Sequence, residues 1–169
     1  MIEYEKIYNQ LIADPNDEDC RKYAQTEANY LRLLSKGKPV PTIQHGQSEY
    51  DFQNTELNQG KAVLLFFWAT WCGACQNTFP EISKILSKHG KKVTVFGISG
   101  DSSESDFQKT LEQQKIHYKN IRDGDDFEGS INRQFFIHRY PTLILLDKQG
   151  FVIDSRSRTK DIAKLIEKL

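Results

Sequence analysis

The apolar positions change their period along the chain, and those changes divide it into elements. Tyr4, Ile7, Tyr8, Leu11 and Ile12 recur at three- and four-residue steps, the spacing of one helix face. Asp14-Pro15-Asn16-Asp17 interrupts that face, because Pro15 lacks a donor and keeps its predecessor out of the helical region. A second helical pattern runs through Cys20, Tyr23, Ala24, Glu27, Leu31 and Leu34. It ends at Ser35-Lys36-Gly37-Lys38-Pro39, where Gly37 suits a left-handed cap. The pattern then changes. Ala62–Trp68 is continuously apolar, as expected of a strand covered on both faces. Residues 72–88 read as a helix with Phe79, Ile82, Ile85 and Leu86 inward, bent at Pro80. Val93–Ser99 reads as a second buried strand, and Asp101-Ser102-Ser103 supplies N-caps for a helix carrying Phe107 and Leu111. Residues 117–121 are predicted as a short extended piece and 126–136 as a helix. Thr142–Leu146 and residues 151–154 are predicted strands joined through Asp147-Lys148-Gln149-Gly150. Residues 159–169 form an amphipathic helix with Ile162, Leu165, Ile166 and Leu169 on one face.

That order predicts an α/β fold: a central mixed β-sheet flanked by helices in three layers, with right-handed parallel crossovers early in the chain. Residues 1–36 are expected to form an N-terminal helical extension and residues 37–169 the main domain. With 169 residues, 38% of them hydrophobic and 27% charged, the chain is long and apolar enough for one globular core. Lys plus Arg and Asp plus Glu both total 23, so no net field draws nucleic acid or an anionic membrane, and no nucleic-acid partner is expected. The longest apolar run, Ala62 to Ala69, is eight residues, against roughly 20 for a spanning helix. The first ten residues carry three charged side chains and no apolar stretch, unlike a signal peptide. The expected location is therefore the cytoplasm, or an exported compartment if a leader has been removed.

The informative chemistry is in the cysteines. Cys20, Cys72 and Cys75 are too few for a disulfide scaffold, but two are three positions apart in Trp71-Cys72-Gly73-Ala74-Cys75. That segment follows a buried strand and opens a helix. The first turn of a helix presents unpaired N–H groups and the positive end of the dipole. A thiolate at Cys72 is stabilised there, and its pKa is expected below the usual value of about 8.5. Cys75 lies one turn along the same face, within reach of the Cys72 sulfur. Gly73 and Ala74 are small and leave the first turn open to a partner. A zinc site would need four ligands, and His45, His89, His117 and His138 are scattered. No metal and no cofactor is expected. Tyr140-Pro141-Thr142 precedes a buried strand, where a proline needs no ladder donor. The residues alone leave the isomer of the Tyr140–Pro141 bond open.

Phe67-Trp68-Ala69-Thr70-Trp71-Cys72-Gly73-Ala74-Cys75, then Phe79-Pro80-Glu81 and Tyr140-Pro141-Thr142, resembles the thioredoxin superfamily, and most closely its TlpA/ResA branch of envelope reductases. The resemblance covers residues 39–169. It implies a thioredoxin-like fold, an exposed nucleophile at Cys72, a buried resolving thiol at Cys75, Trp71 shielding the motif, and a cis bond at Pro141. The substrate-contacting residues would be Trp71, Gly73, Ala74, Tyr140 and Pro141. The chain departs from the pattern at Ala74, where proline is common, at Phe66, where thioredoxins bury an acid, and at Thr78, where the branch often has a glutamate. The proton acceptor for Cys75 is thus unassigned, with Glu81 read mainly as a solvated helix charge.

The expected activity is a protein-disulfide oxidoreductase, acting as a reductase through a Cys72/Cys75 dithiol–disulfide cycle. Its partners would be protein disulfides or dithiols and an upstream electron donor. The family likeness favours the bacterial periplasm or cell envelope. The alternative is a carrier or assembly module using the two thiols to hold Cu(I), with His138 as the nearest candidate histidine. Cys20 is read as a buried helix-face thiol. Trp68 and Phe66 are read as core, Lys91-Lys92 and Arg156-Ser157-Arg158 as solvated surface, and Asp123-Gly124-Asp125-Asp126 as a turn feeding a helix.

Overall fold

A computed structural model describes residues 18–155 and 158–169. The helix predicted over residues 4–12 lies outside the described residues, as do Arg156 and Ser157. The elements follow in order as α1 (Glu18–Leu33), β1 (Ile43–His45), β2 (Ser48–Tyr50), α2 (Thr55–Asn58), β3 (Ala62–Trp68), α3 (Gly73–His89), β4 (Val93–Ser99), α4 (Glu104–Gln113), β5 (Lys119–Arg122), α5 (Ser130–Gln134), β6 (Thr142–Leu146), β7 (Val152–Asp154) and α6 (Thr159–Glu167). Gly37 ends the α1 region with φ +79°, the left-handed conformation that glycine adopts without a Cβ penalty.

Five strands form the central sheet in the order β5-β4-β3-β6-β7. β3 runs parallel to β4 and antiparallel to β6, so the sheet is mixed as the sequence pattern predicts. All seven β3 residues are buried. Their alternation shares them between two cores. Val63, Leu65 and Phe67 join Tyr30, Leu34, Ile43, Tyr50, Phe52, Ile131 and Phe135 on one face. Ala62, Leu64, Phe66 and Trp68 join Phe79, Ile82, Ile85, Phe107, Ile162 and Ile166 on the other. Each large apolar side chain so buried contributes roughly 1.5–3 kcal/mol of transfer free energy. Phe66 and Trp68 are core, as expected, and the Trp68 Nε1–H donates to Asn120 at 3.1 Å.

Several local expectations shift. Cys20 is exposed rather than buried, because every residue of α1 from Glu18 to Tyr23 is exposed and the buried residues of the helix, Ala24, Glu27 and Tyr30, all lie beyond it. The helix expected over 126–136 is broken into a 3₁₀ turn at Asp126–Glu128 and the short α5, with Asp125 and Asp126 both at positive φ. The predicted extended piece is displaced to β5. Its register is set by Ile121 opposite Ile98, which buries Ile121. The β1–β2 hairpin was not predicted; three-residue strands are too short to show a period.

Candidate functional site

β3 is the central strand, and its last residue hands the chain to the loop of Ala69-Thr70-Trp71-Cys72 at one sheet end. Asp101 holds that loop in place. It lies just past β4 and is 3% exposed. Its carboxylate accepts from the Thr70 N–H at 2.9 Å, the Thr70 hydroxyl at 2.6 Å and the Ser99 hydroxyl at 2.5 Å. The sequence suggests Asp101 as a helix N-cap, but Ser103 takes that role for α4 and accepts from the Asp106 N–H. Arg122 braces the same corner by donating to the carbonyls of Asp101 and Ser102 and pairing with Glu104 at 2.7 Å. Hydrogen bonds from Gln108 and Arg122 hold the Glu104 carboxyl below its usual range.

Cys72 is the N-cap of α3, with an extended backbone, and its sulfur accepts from the Cys75 N–H at 3.1 Å. Cys72 and Cys75 are joined as a disulfide. Cys72 keeps 6% of its surface accessible and Cys75 none. Both cysteines are thus buried, and Cys72 is far less exposed than the open nucleophile that the resemblance implies. Gly73 and Ala74 are exposed beside them, and a Cβ at Gly73 would meet only open space. Pro80 sits within α3 and removes the donor that would have bonded the Gln76 carbonyl.

Trp71 is 58% exposed and reaches the Asp126 turn. Its Nε1–H donates to the Asp126 carboxylate at 2.9 Å, and its ring lies 5.6 Å from Tyr140 and 6.2 Å from Phe127. Phe127 and Tyr140 stack at 4.6 Å. The Tyr140–Pro141 bond is cis. The Tyr140 hydroxyl donates to Asn132 at 3.0 Å, and burial, with the carboxylates of Asp126, Asp123 and Asp101, pushes its pKa up. Gly100 leaves the space for that hydroxyl; a Cβ there would collide with it. Asp123 spends its carboxylate on α5, accepting from the Ile131 and Asn132 N–H groups at 2.9 and 2.8 Å, which makes Asp123–Asp126 the expected turn.

His138, the histidine of the copper alternative, is already engaged at both ring nitrogens. Nε2 meets the Glu27 carboxylate at 2.7 Å and Nδ1 meets the Phe136 carbonyl at 3.1 Å. Nothing in the structure specifically supports the copper alternative on that side chain. Glu81 accepts a hydrogen bond from Thr159 and ties α3 to α6. Thr78 donates to the Ala74 carbonyl at 3.0 Å. Sequence reasoning missed Asp101, Asp126 and Glu27 as organisers of this region. Only Asp101 leaves a local trace, as a carboxylate two residues past a buried strand.

Strand order, the two-sided core and a redox-spaced cysteine pair at a helix start define a thioredoxin-like protein. The AhpC/TSA family matches residues 36–155, and the chain belongs to that family. It is 28% identical over 139 residues to the thioredoxin-like protein YneN of Bacillus subtilis, covering 75% of this chain and 79% of that one. It is 28% identical over 96 residues to the thiol-disulfide oxidoreductase ResA of Bacillus thuringiensis, covering 56% of this chain and only 54% of that relative. The thioredoxin domain of a thiol-disulfide oxidoreductase from Bacteroides vulgatus superposes with TM-score 0.66 at 25% identity, over 80% of this chain and 97% of that domain.

Proposed function

We propose that this chain is a thiol–disulfide oxidoreductase that reduces protein disulfides with Cys72 and Cys75. The observation that carries the reading is the Cys72 sulfur at the N-cap of α3, 3.1 Å from the Cys75 N–H and bonded to the buried Cys75. In the reduced protein, that N–H and the helix dipole stabilise a Cys72 thiolate. The thiolate attacks one sulfur of the substrate disulfide. The mixed disulfide forms as the substrate S–S bond breaks, and the first substrate thiolate leaves and takes a proton. Cys75, as thiolate, then attacks the Cys72 sulfur. The Cys72–Cys75 bond forms and the second substrate thiolate departs. That thiolate too takes a proton, so two electrons have passed to the substrate, with one proton released by Cys75 and the other supplied by water. An external dithiol donor returns the electrons in the same two steps reversed. Trp71, Gly73, Ala74, Tyr140 and Pro141 are assigned as the residues that contact the substrate chain.

We assign residues 37–169 as the redox domain and residues 1–36 as its N-terminal extension, which is supported by the family match beginning at residue 36. The TlpA/ResA resemblance supports a bacterial envelope location. No helix among the described residues is long and apolar enough to cross a membrane.

Insulin reduction with dithiothreitol as donor tests the assignment. Cys72→Ser is expected to abolish turnover, and Cys75→Ser to accumulate mixed disulfides visible on non-reducing gels. Wild-type turnover by Cys72→Ser would overturn it.

A further inference from the structure

A groove of about 520 Å³ opens beside the redox pair, between Ala74 of α3 and Pro141 at the cis bond. Three cations line it: Arg139, Arg158 and Lys160. Arg139 is half exposed and shares its charge with Glu27 at 3.8 Å. Arg158 and Lys160 are exposed and make no ion pair among the described residues. The one acid on the groove wall, Glu81, is occupied by Thr159. Local stability does not account for the two unpaired cations. They sit at the start of α6, where the helix dipole favours acidic side chains. The groove wall therefore carries three cations against one carboxylate.

We propose that this groove selects protein disulfides flanked by acidic residues, with the carboxylates seated against Arg158, Lys160 and Arg139 while the substrate cysteine meets Cys72. The assignment rests on the oxidoreductase reading above and names the substrate class of that same site. Exposed charges facing a bound segment act mainly on encounter and KM, and salt screens them over about 10 Å at moderate ionic strength.

The test uses peptides that carry one internal disulfide with flanks of glutamate, glutamine or lysine, and dithiothreitol as electron donor. Each enzymatic rate is divided by the rate of dithiothreitol alone on the same peptide, which removes the effect of the flanks on peptide thiol reactivity. At low salt the glutamate peptide is expected to have about tenfold higher kcat/KM than the lysine peptide, carried by KM, and the ratio shrinks at high salt. Arg158→Glu with Lys160→Glu is expected to invert the preference. Equal rates for wild-type protein on all three peptides, or a preference unchanged in the double variant, would overturn the assignment. The wild-type salt series decides the matter even if the double variant does not fold. Hydroxyethyl disulfide, small and neutral, separates the two readings. If wild type does not reduce it, the oxidoreductase reading falls and the groove falls with it. If it is reduced but the peptides show no charge preference, the groove alone falls.

Discussion

Asp101 shows how one side chain sets the site without touching a sulfur. Thr70 lies two residues before Cys72, and its N–H and hydroxyl both end on the Asp101 carboxylate. Removing the carboxylate leaves these donors and the Ser99 hydroxyl facing a void. Each buried donor without a partner costs roughly 1–3 kcal/mol. Asp101→Ala is therefore expected to lower unfolding free energy by about 2–4 kcal/mol and to slow insulin reduction, because the loop that aims Cys72 loses its anchor. Urea unfolding and the turnover assay read the two effects. An unchanged denaturation midpoint would mean that the loop is held by α3 alone.

At the scale of elements, α1 is built into the domain rather than laid over it. Tyr30 is 1% exposed, packs in the same core as β3, and donates its hydroxyl to the Ser155 carbonyl at 2.5 Å. Tyr30 and Tyr23 present edge-to-face contacts to His138, which Glu27 holds from the same helix. His138 and Arg139 lead directly into the cis Tyr140–Pro141 bond, so α1 supports that segment. Two variants separate packing from hydrogen bonding. Tyr30→Ala is expected to cost about 3–5 kcal/mol through the cavity it leaves. Tyr30→Phe is expected to cost only about 1–2 kcal/mol, the hydrogen bond alone. Equal losses in chemical denaturation would contradict the dominance of packing. The amphipathic spacing of α1 was legible in the sequence, and so was its end near Gly37. Its docking was not, because Glu27 lies more than a hundred positions from the histidine and arginine it meets, His138 and Arg139.

At the scale of the molecule, burial sets an alkaline limit on stability. Tyr118 and Tyr140 are held protonated by desolvation, with nearby carboxylates adding to the effect at Tyr140. Their folded-state pKa values are raised above the unfolded value of about 10. A raised folded pKa means the stabilisation is complete below pH 10 and is lost as pH rises beyond it, where only the unfolded chain ionises readily. Unfolding free energy is expected to fall above about pH 10, and Tyr118→Phe combined with Tyr140→Phe to flatten that fall relative to wild type. The Tyr118 hydroxyl has no partner among the described residues, so its removal costs no hydrogen bond. Identical slopes for wild type and the double variant would assign the alkaline loss to other groups.

Local order was readable in one dimension. The run Ala62–Trp68 declares a strand covered on both sides, and a cysteine pair one turn apart at a helix start declares thiol chemistry, because both depend on neighbours within a few residues. The Asp101 anchor, the Trp71–Asp126 bond and the basic groove were decided only when distant segments packed together. Their defining contacts join the loop after β3 to the turns after β4 and β5, and α3 to the start of α6. A period along the chain carries no record of which far residue will fill the space opposite; the closing of the sheet and the exclusion of water decide that.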